Sequence, residues 1–118
     1  MTSNKNSTRY YSLLQESKVA KILGGNVVSN SGAGHFAKGD VVVNNADLLV
    51  ECKTVTKEKN SFSIKKEWLD KNAEESFATR KSNSCLAFSF DPDAKSMYFI
   101  IDEKLMKFLT EKLTELNE

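Results

Sequence analysis

The chain has 118 residues, with a hydrophobic fraction of 40% and a charged fraction of 28%, which is typical of a single soluble globular domain. No apolar run is long enough to span a membrane, and the polar start of the chain lacks the apolar segment of a signal peptide, so we expect a cytoplasmic protein with no membrane partner. The net charge of +1 conceals an uneven division, because residues 1–66 carry ten Lys and Arg against five Asp and Glu, whereas residues 67–118 carry seven against eleven.

The first predicted element is a helix over residues 9–23, where apolar side chains recur at approximately helical spacing. Ser7 or Thr8 can cap its start, and the two glycines that follow it can end it. A short strand over residues 26–29 and a polar loop over residues 30–35 come next.

The following segment is predicted to form a β-hairpin. Residues 41–43 and 48–50 are apolar and suit strands, and residues 44–47 between them have turn-forming side chains. A hairpin that folds symmetrically about this turn pairs Asp40 with Glu51, so that the two carboxylates face each other across the strands.

Lys53 lies two residues beyond Glu51 and therefore projects from the same face of the hairpin. Two opposed carboxylates repel unless a cation lies between them, and Mg²⁺ is such a cation because it takes hard oxygen ligands, often only one or two carboxylates from the protein. Asp40, Glu51 and Lys53 therefore indicate a site that cleaves phosphodiesters. The alternative is that they are solvated side chains at strand ends, since Glu-x-Lys also occurs by chance.

A second helix is predicted from Ile64 to about Lys81, with Ser63 as its cap. Five apolar residues are expected on its buried side: Ile64, Trp68, Ala73, Phe77 and Ala78. Two strands follow, over residues 85–90 and 96–101, and a polar turn joins them.

The final helix is predicted to begin after Asp102, which caps it. Five apolar residues are expected on its inward face: Leu105, Met106, Leu109, Leu113 and Leu116. The order of helix, three strands, helix, two strands and helix predicts an α/β fold in which helices flank a central mixed β-sheet. We expect residues 1–8 to form a flexible arm and residues 9–118 to form one domain. Cys52 and Cys85 fall in strands expected to be buried, and two cysteines are too few for a disulfide framework or a zinc site.

The division of charge supports a nucleic-acid partner. Three of the five acids in residues 1–66, namely Glu16, Asp40 and Glu51, are candidate site residues whose charge a metal would offset. The rest of this half is then a basic surface around an acidic site, which fits a phosphate-backbone ligand. Ordinary scatter of charges is the alternative interpretation.

A larger pattern extends over roughly residues 9–101. It consists of a helix with Glu16, the run Ser31-Gly32-Ala33-Gly34, the pair Gly39-Asp40, the run Glu51-Cys52-Lys53 and residues 63–69. This pattern resembles the PD-(D/E)xK nuclease superfamily, and within it the archaeal-type and phage Holliday junction resolvases, although Gly39 stands where the motif usually has proline. The resemblance implies a restriction-endonuclease-like core and an endodeoxyribonuclease that depends on Mg²⁺, with Mn²⁺ as an expected substitute.

The resemblance also implies a role for each site residue. Asp40 and Glu51 would ligate the metal together with the backbone carbonyl of Cys52. Glu16 would reach the metal directly or through water. Lys53 would orient or deprotonate the attacking water and offset charge on the transition state.

Six residues are expected to contact DNA: Arg9, Ser31, His35, Lys38, Lys65 and Lys66. Ser31 matches the serine that these resolvases place near the scissile phosphate, whereas His35 could be a loop residue and Lys65 and Lys66 a solvated turn. Resolution of a four-way junction needs two symmetric cuts and the chain has one site, so we expect a two-fold symmetric homodimer. Another nuclease of the same superfamily and a non-catalytic DNA-binding module are the alternatives.

Overall fold

The computed structural model describes residues 7–28 and 40–118. Within them the elements are α1 (Thr8–Leu23), β1 (Asn26–Val27), β2 (Asp40–Val43), β3 (Leu48–Lys53), α2 (Lys66–Ala78), β4 (Asn83–Ser89), β5 (Met97–Ile100) and α3 (Glu103–Leu116). A single 3₁₀ turn, Asn44–Ala46, joins β2 to β3. None of the helices in these two ranges is long and apolar enough to cross a membrane.

Helix α1 has the caps that the sequence predicts. The Ser7 hydroxyl accepts a hydrogen bond from the backbone N–H of Tyr10 at 3.1 Å, and Gly24 ends the helix at a left-handed φ of 70°. Gly25 lies so close to β2 that a Cβ there would come within 2.6 Å of the carbonyl oxygen of Val42. Only glycine therefore allows α1 to approach the hairpin this closely.

The five strands form one sheet in the order β1-β2-β3-β4-β5, in which β3 and β4 are parallel and all other neighbours antiparallel. This confirms the predicted α/β fold with a central mixed sheet. The hairpin also has the predicted register, because Val41 lies opposite Val50 and Asp40 opposite Glu51.

The two faces of the sheet are covered by different helices. Helix α1 packs on the face whose core contains Val19, Val41, Val43, Val50, Cys52, Cys85 and Ala87. Helix α2 packs against β3 and β4 on the other face, where Leu49 and Leu86 are buried. The side chains of Glu51 and Lys53 alternate with Cys52 along β3 and therefore lie on the α2 face.

Helix α2 begins later than predicted. It starts at Lys66, two residues after the predicted start at Ile64, and no side chain caps it, so the predicted cap by Ser63 is wrong. The preceding segment is held by a tertiary contact instead, since the ring of Phe62 stacks on Phe88 of β4 with 4.5 Å between centroids. This contact joins residues far apart in the chain, and a local capping pattern does not reveal it.

The side of α2 that faces the sheet is also different from the predicted one. Asn72 and Ser76 are buried, whereas Phe77 is 87% exposed. Of the other residues expected on the buried side, Trp68 is half-buried and Ile64, Ala73 and Ala78 are exposed. The Ser76 hydroxyl donates hydrogen bonds to two backbone carbonyl oxygens at the start of β4, at 2.6 and 3.1 Å. A small polar side chain therefore holds α2 against this end of the sheet.

Helix α3 is capped as predicted, because Oδ1 of Asp102 accepts a hydrogen bond from the backbone N–H of Leu105 at 2.8 Å. The predicted inward face is wrong for the single chain. Leu105 is half-buried, but the other members are exposed, at 56% for Met106, 43% for Leu109, 60% for Leu113 and 80% for Leu116. Helices α1 and α2 pack on strands β1 to β4, and no described strand or helix packs extensively along α3.

Candidate active site

The predicted acidic pair lies at the end of the hairpin remote from its turn. Asp40 is the first residue of β2, and Glu51 lies directly opposite in β3. Both side chains are buried, with Asp40 fully enclosed and Glu51 only 6% exposed. Because directly opposed residues hold their Cβ atoms about 4.5–5.5 Å apart, the two carboxylates share one face of the sheet. Burying two acids together is costly unless positive charge offsets them.

Lys53 supplies positive charge at this place. Its Nζ lies 2.6 Å from Oε2 of Glu51 and 4.2 Å from the centroid of the Trp68 ring. The ammonium group is therefore held between a carboxylate and an aromatic face, both of which attract a cation. About a quarter of the side chain is exposed, at 26%, so solvent can reach the amine.

The contact of Trp68 with the site was not predicted from the sequence. Trp68 reaches Lys53 from α2, and Nζ of Lys65 also lies over its ring, 5.8 Å from the centroid. Two lysines from separate segments thus meet at one indole. In the sequence Trp68 has only the signal of an apolar helix residue, because its contact with β3 depends on how α2 packs on the sheet.

Glu16 of α1 is brought to the same region. Its side chain is 4% exposed, and the Ser12 hydroxyl one turn earlier donates to its Oε2 at 2.6 Å. Burial raises the pKa of the Cys52 thiol, and the nearby charges of Glu16, Asp40 and Glu51 raise it further. The charge of Glu16 thus reaches β3 from the α1 face, whereas Glu51 and Lys53 project from the α2 face.

The two cysteines are packing residues, as predicted. Both are free and buried, and burial raises the pKa of the Cys85 thiol to about 12. Since a thiolate and not a thiol is the nucleophile, neither side chain is suited to nucleophilic catalysis at neutral pH. Any contribution of Cys52 to the site comes from its backbone carbonyl.

Gln15 fixes the position of α1 and was also missed by the sequence analysis. It is fully buried, and its Nε2 donates to the carbonyl oxygens of Val55 at 2.9 Å and Pro92 at 3.0 Å. Its Oε1 accepts a hydrogen bond from the backbone N–H of Val55 at 3.3 Å. One amide thus joins the helix that carries Glu16 to the segment that follows Lys53.

Replacing Gln15 with leucine is expected to lower the free energy of unfolding by about 1–3 kcal/mol, because the backbone groups of Val55 would stay buried without these partners. Chemical denaturation of the purified variant measures this loss. Ser17→Ala, at an exposed position of the same helix, is the control and should change stability by less than about 0.5 kcal/mol. Equal stability of the two variants would mean that the amide does not hold α1 in place.

The predicted DNA contacts are only partly described. Ser31, His35 and Lys38 lie outside the described residues, whereas Arg9, Lys65 and Lys66 are exposed. Arg9 precedes Glu16 by seven residues and lies on the same side of α1, about 10 Å away along its axis. Lys65 shares the Trp68 ring with Lys53. Lys66 pairs with Asp70 one turn later at 2.9 Å, and both side chains stay largely in solvent.

The chemistry of the donors suits a hard divalent cation. In the described ranges, no group of three or more His, Cys, Asp and Glu side chains is arranged to hold a metal ion. Mg²⁺, however, commonly takes only one or two protein carboxylates and completes its shell with water and phosphate oxygens. Asp40 and Glu51 form such a pair, and Cys52, which follows Glu51 in β3, offers a backbone carbonyl oxygen. These oxygens fit Mg²⁺ or Mn²⁺.

Comparisons of this chain with models of known protein families, with curated proteins and with solved structures found no match. What bears on its function is therefore the chemistry of the hairpin end. Two enclosed carboxylates face each other there, and a lysine is fixed between one of them and an indole ring.

Proposed function

We propose that the protein is a Mg²⁺-dependent endodeoxyribonuclease of the PD-(D/E)xK type, and more narrowly a Holliday junction resolvase that hydrolyses phosphodiesters in four-way DNA junctions. The observation that carries this proposal is the enclosed pair of Asp40 and Glu51 with Nζ of Lys53 at 2.6 Å from Glu51. A purely structural lysine–glutamate pair would not need a second carboxylate buried opposite it, since that charge adds a desolvation cost.

In this proposal each residue has a distinct task. Asp40, Glu51 and the carbonyl oxygen of Cys52 would hold Mg²⁺ or Mn²⁺, and Glu16 would act on the metal directly or through a water molecule. The bound ion supplies positive charge to the scissile phosphate and lowers the pKa of bound water. Lys53 orients the attacking water and places a positive charge beside the phosphate oxygens as negative charge develops on them.

The contacts of Lys53 suit the proposed site both without and with a bound divalent cation. Without a divalent cation, the ammonium group offsets the charge of Glu51. Once Glu51 binds a cation, Lys53 no longer has to neutralise it, and the amine can face water or a phosphate. Trp68 keeps the amine near the site in either state, because its attraction for the ammonium group does not depend on Glu51.

The substrate would approach over the basic surface next to this site. Arg9 on α1 and Lys65 and Lys66 at the start of α2 are exposed, and Lys65 lies over the same ring as Lys53. A junction presents phosphates from several strands, and lysine and arginine bind such a backbone through charge, with little dependence on sequence. The predicted contacts of Ser31, His35 and Lys38 belong to this proposal as well.

The proposal is tested by cleavage of a labelled synthetic four-way junction beside a linear duplex of the same sequence, with Mg²⁺, with Mn²⁺ and with a chelator. We expect paired, symmetric cuts in the junction with either metal and no cleavage in the chelator. Equal cleavage of the duplex would favour another nuclease of the same superfamily. Binding of the junction without cleavage in either metal would favour a non-catalytic DNA-binding module.

Reversing the charges of Lys65 and Lys66 to glutamate is expected to weaken junction binding strongly, because two acidic side chains next to the site would then repel the phosphates. The dependence of log K on log salt should flatten by about one unit for each phosphate that the protein no longer neutralises. Fluorescence anisotropy over a series of salt concentrations measures both effects.

The control for that experiment is the double change Lys95→Glu with Lys107→Glu. Both lysines are exposed and belong to the less basic half of the chain, so the change in net charge is matched while the proposed DNA face is intact. An equal fall in affinity in both variants would indicate a nonspecific effect of net charge. An unchanged salt slope in the Lys65/Lys66 variant would contradict the proposed face.

A further inference from the structure

Five aromatic side chains gather beside the candidate active site. The ring of Phe88 stacks on Phe62 with 4.5 Å between centroids and packs edge to face with Phe90 at 5.3 Å. Phe62 also lies 6.2 Å from Trp68, the ring that faces Nζ of Lys53. Together with a tyrosine of β5 these rings form the aromatic cluster: Phe62, Trp68, Phe88, Phe90 and Tyr98. The cluster therefore starts at the lysine of the site and extends away from it.

The register of the sheet places this cluster on the same face as the acidic pair. Lys53 of β3 lies opposite Phe88 of β4, and Phe88 lies opposite Tyr98 of β5, so the three residues form one row across the sheet. Asp40 and Glu51 form the neighbouring row, about 6.6 Å away at two residues along the strand. Two strand spacings separate the backbone of Tyr98 from that of Lys53, which is about 10 Å. A DNA strand advances about 3.4 Å per nucleotide, so about three nucleotides cover this distance.

Tyr98 is the most exposed member of the aromatic cluster. It is 49% exposed, whereas the other four rings are half-buried. Two neighbours nevertheless hold its ring, since the centroid of Phe88 lies 5.8 Å away and Phe90 packs against it edge to face at 5.4 Å. A ring that is already fixed and still half exposed loses little conformational freedom when another flat group stacks on it.

A groove of about 220 Å³ opens beside Tyr98, and Phe90 lines it as well. The backbone N–H of Lys59 donates to the carbonyl oxygen of Phe90 at 2.8 Å, so the segment before α2 is fixed against the end of β4. The charged side chains that line the groove are two lysines and two acids: Lys59, Lys95, Glu58 and Asp91. Because these charges balance, the groove suits an uncharged group better than a phosphate.

A nucleobase has the shape and the chemistry that this end of the row accepts. It is flat and uncharged at neutral pH, and every base has a π face that stacks on an aromatic ring with little dependence on sequence. The phosphates that accompany a base need positive charge, which lies at the other end of the row, where Lys53 and Lys65 share the ring of Trp68. The row thus offers charge for a DNA backbone at one end and an aromatic face for a base at the other.

We propose that Tyr98 and the groove beside it form a stacking site for an unpaired DNA base, within about three nucleotides of the phosphate at the candidate active site. A base inside a duplex is covered on both faces by its neighbours and cannot reach such a ring unless it leaves the stack. The site therefore selects single-stranded DNA or branch points with displaced bases over continuous duplex. This selection during cleavage rests on the proposed function, whereas the stacking itself can be measured without cleavage.

The test measures binding of a fluorescein-labelled oligothymidylate in the presence of a chelator, beside an abasic strand of the same length and charge. The unaltered protein should bind the strand with bases about tenfold more tightly, which is within the usual contribution of one stacked base. Tyr98→Leu should remove this difference, whereas Tyr98→Phe should keep it. Phe108→Leu, which removes a ring that is 54% exposed on α3, is the matched control and should keep it too.

A fluorescent adenine analogue whose emission is quenched by stacking gives a readout that needs no variant. Its emission in a single strand should fall when the unaltered protein binds, and Tyr98→Leu should abolish that fall. Equal affinity for the two strands, or no quenching, would overturn the proposal. A loss of affinity in Tyr98→Leu that is the same for the abasic strand would also overturn it and assign Tyr98 to the fold or to another partner.

The stacking site and the nuclease can fail separately. A chain that stacks bases and cleaves nothing would refute the nuclease and keep the stacking site. A chain that cleaves junctions but binds strands with and without bases equally would keep the nuclease and refute the stacking site.

Discussion

Replacing Asp40 with asparagine is expected to abolish cleavage while leaving junction binding intact or tighter. Asparagine keeps the shape of the side chain but removes one of the two anionic oxygen donors that the proposed metal needs, so the site loses its cation while its DNA-binding surface is unchanged. Removal of negative charge beside the phosphates also favours binding. Glu51→Gln should give the same loss of cleavage. Glu58→Gln, an exposed acid on the following segment, is the control and should cleave normally.

The same variants should separate in stability when no metal is present. Asp40→Asn relieves the repulsion between two enclosed carboxylates and should raise Tm by about 4 °C, which corresponds to about 1 kcal/mol for a domain of this size. Glu51→Gln should gain less, because Lys53 loses the carboxylate that lies 2.6 Å from its amine. Differential scanning fluorimetry measures both shifts.

Addition of Mg²⁺ gives an independent measure of the site. A ligand that binds only the folded chain raises Tm with its concentration, so the unaltered protein should be stabilised by Mg²⁺ and Asp40→Asn should not. This result does not depend on finding the right DNA substrate. Cleavage at the unaltered rate by Asp40→Asn would remove that residue from the mechanism, and an equal Mg²⁺ shift in both proteins would locate the metal elsewhere.

The hairpin could be predicted from the sequence because two local constraints agree. Residues 41–43 and 48–50 are apolar runs of equal length, and only symmetric pairing about the turn places each apolar residue opposite another. The turn is short and lies between runs of equal length, which fixes Asp40 opposite Glu51. The symmetry of the hairpin therefore gave the pairing of Asp40 with Glu51, and the two-residue period of a strand gave the side of Lys53.

The parts contributed by α2 and α1 could not be predicted in the same way. Trp68 meets Lys53 only because α2 packs with Ser76 towards the sheet, although the apolar pattern favours a different side of the helix. Gln15 forms hydrogen bonds with residues 40 and 77 positions away in the chain. The presence of a polar residue in a helix does not indicate which distant backbone groups it will contact. Ser12 is different, since its spacing of four residues from Glu16 is a helical signal that could have been read.

Helix α3 is a third case in which the sequence predicts a local feature but not the tertiary contact that the feature makes. Its cap and its apolar stripe were predicted from residues close together in the chain, and the cap is confirmed. A stripe indicates that a helix buries one side, but it does not say against what. Among the described residues, no strand or helix packs extensively along α3 and most of its stripe is exposed, so the expectation of an internal core position was wrong.

Replacing Lys53 with methionine is expected to lower the turnover number by about 10²-fold or more, in the range for loss of a group that acts in proton transfer. Methionine keeps most of the aliphatic length of the side chain and deletes the charge that lies 2.6 Å from Glu51 and 4.2 Å from the centroid of the Trp68 ring. Metal binding should survive and strengthen, because the cation that competes for Glu51 is gone. Single-turnover cleavage at saturating Mg²⁺ separates the chemical step from binding.

Trp68→Leu provides the companion to that experiment. If the indole only fixes the amine, its loss should lower the rate of the chemical step by less than Lys53→Met does, and Trp68→Phe, which keeps an aromatic face, should recover part of the rate. In a chain that already carries Lys53→Met, Trp68→Leu should have almost no further effect, because the two residues act through the same amine. Additive effects in the double variant would show that Trp68 acts independently of Lys53. Normal chemistry in Lys53→Met with weakened metal binding would show that the lysine serves the fold and not the reaction.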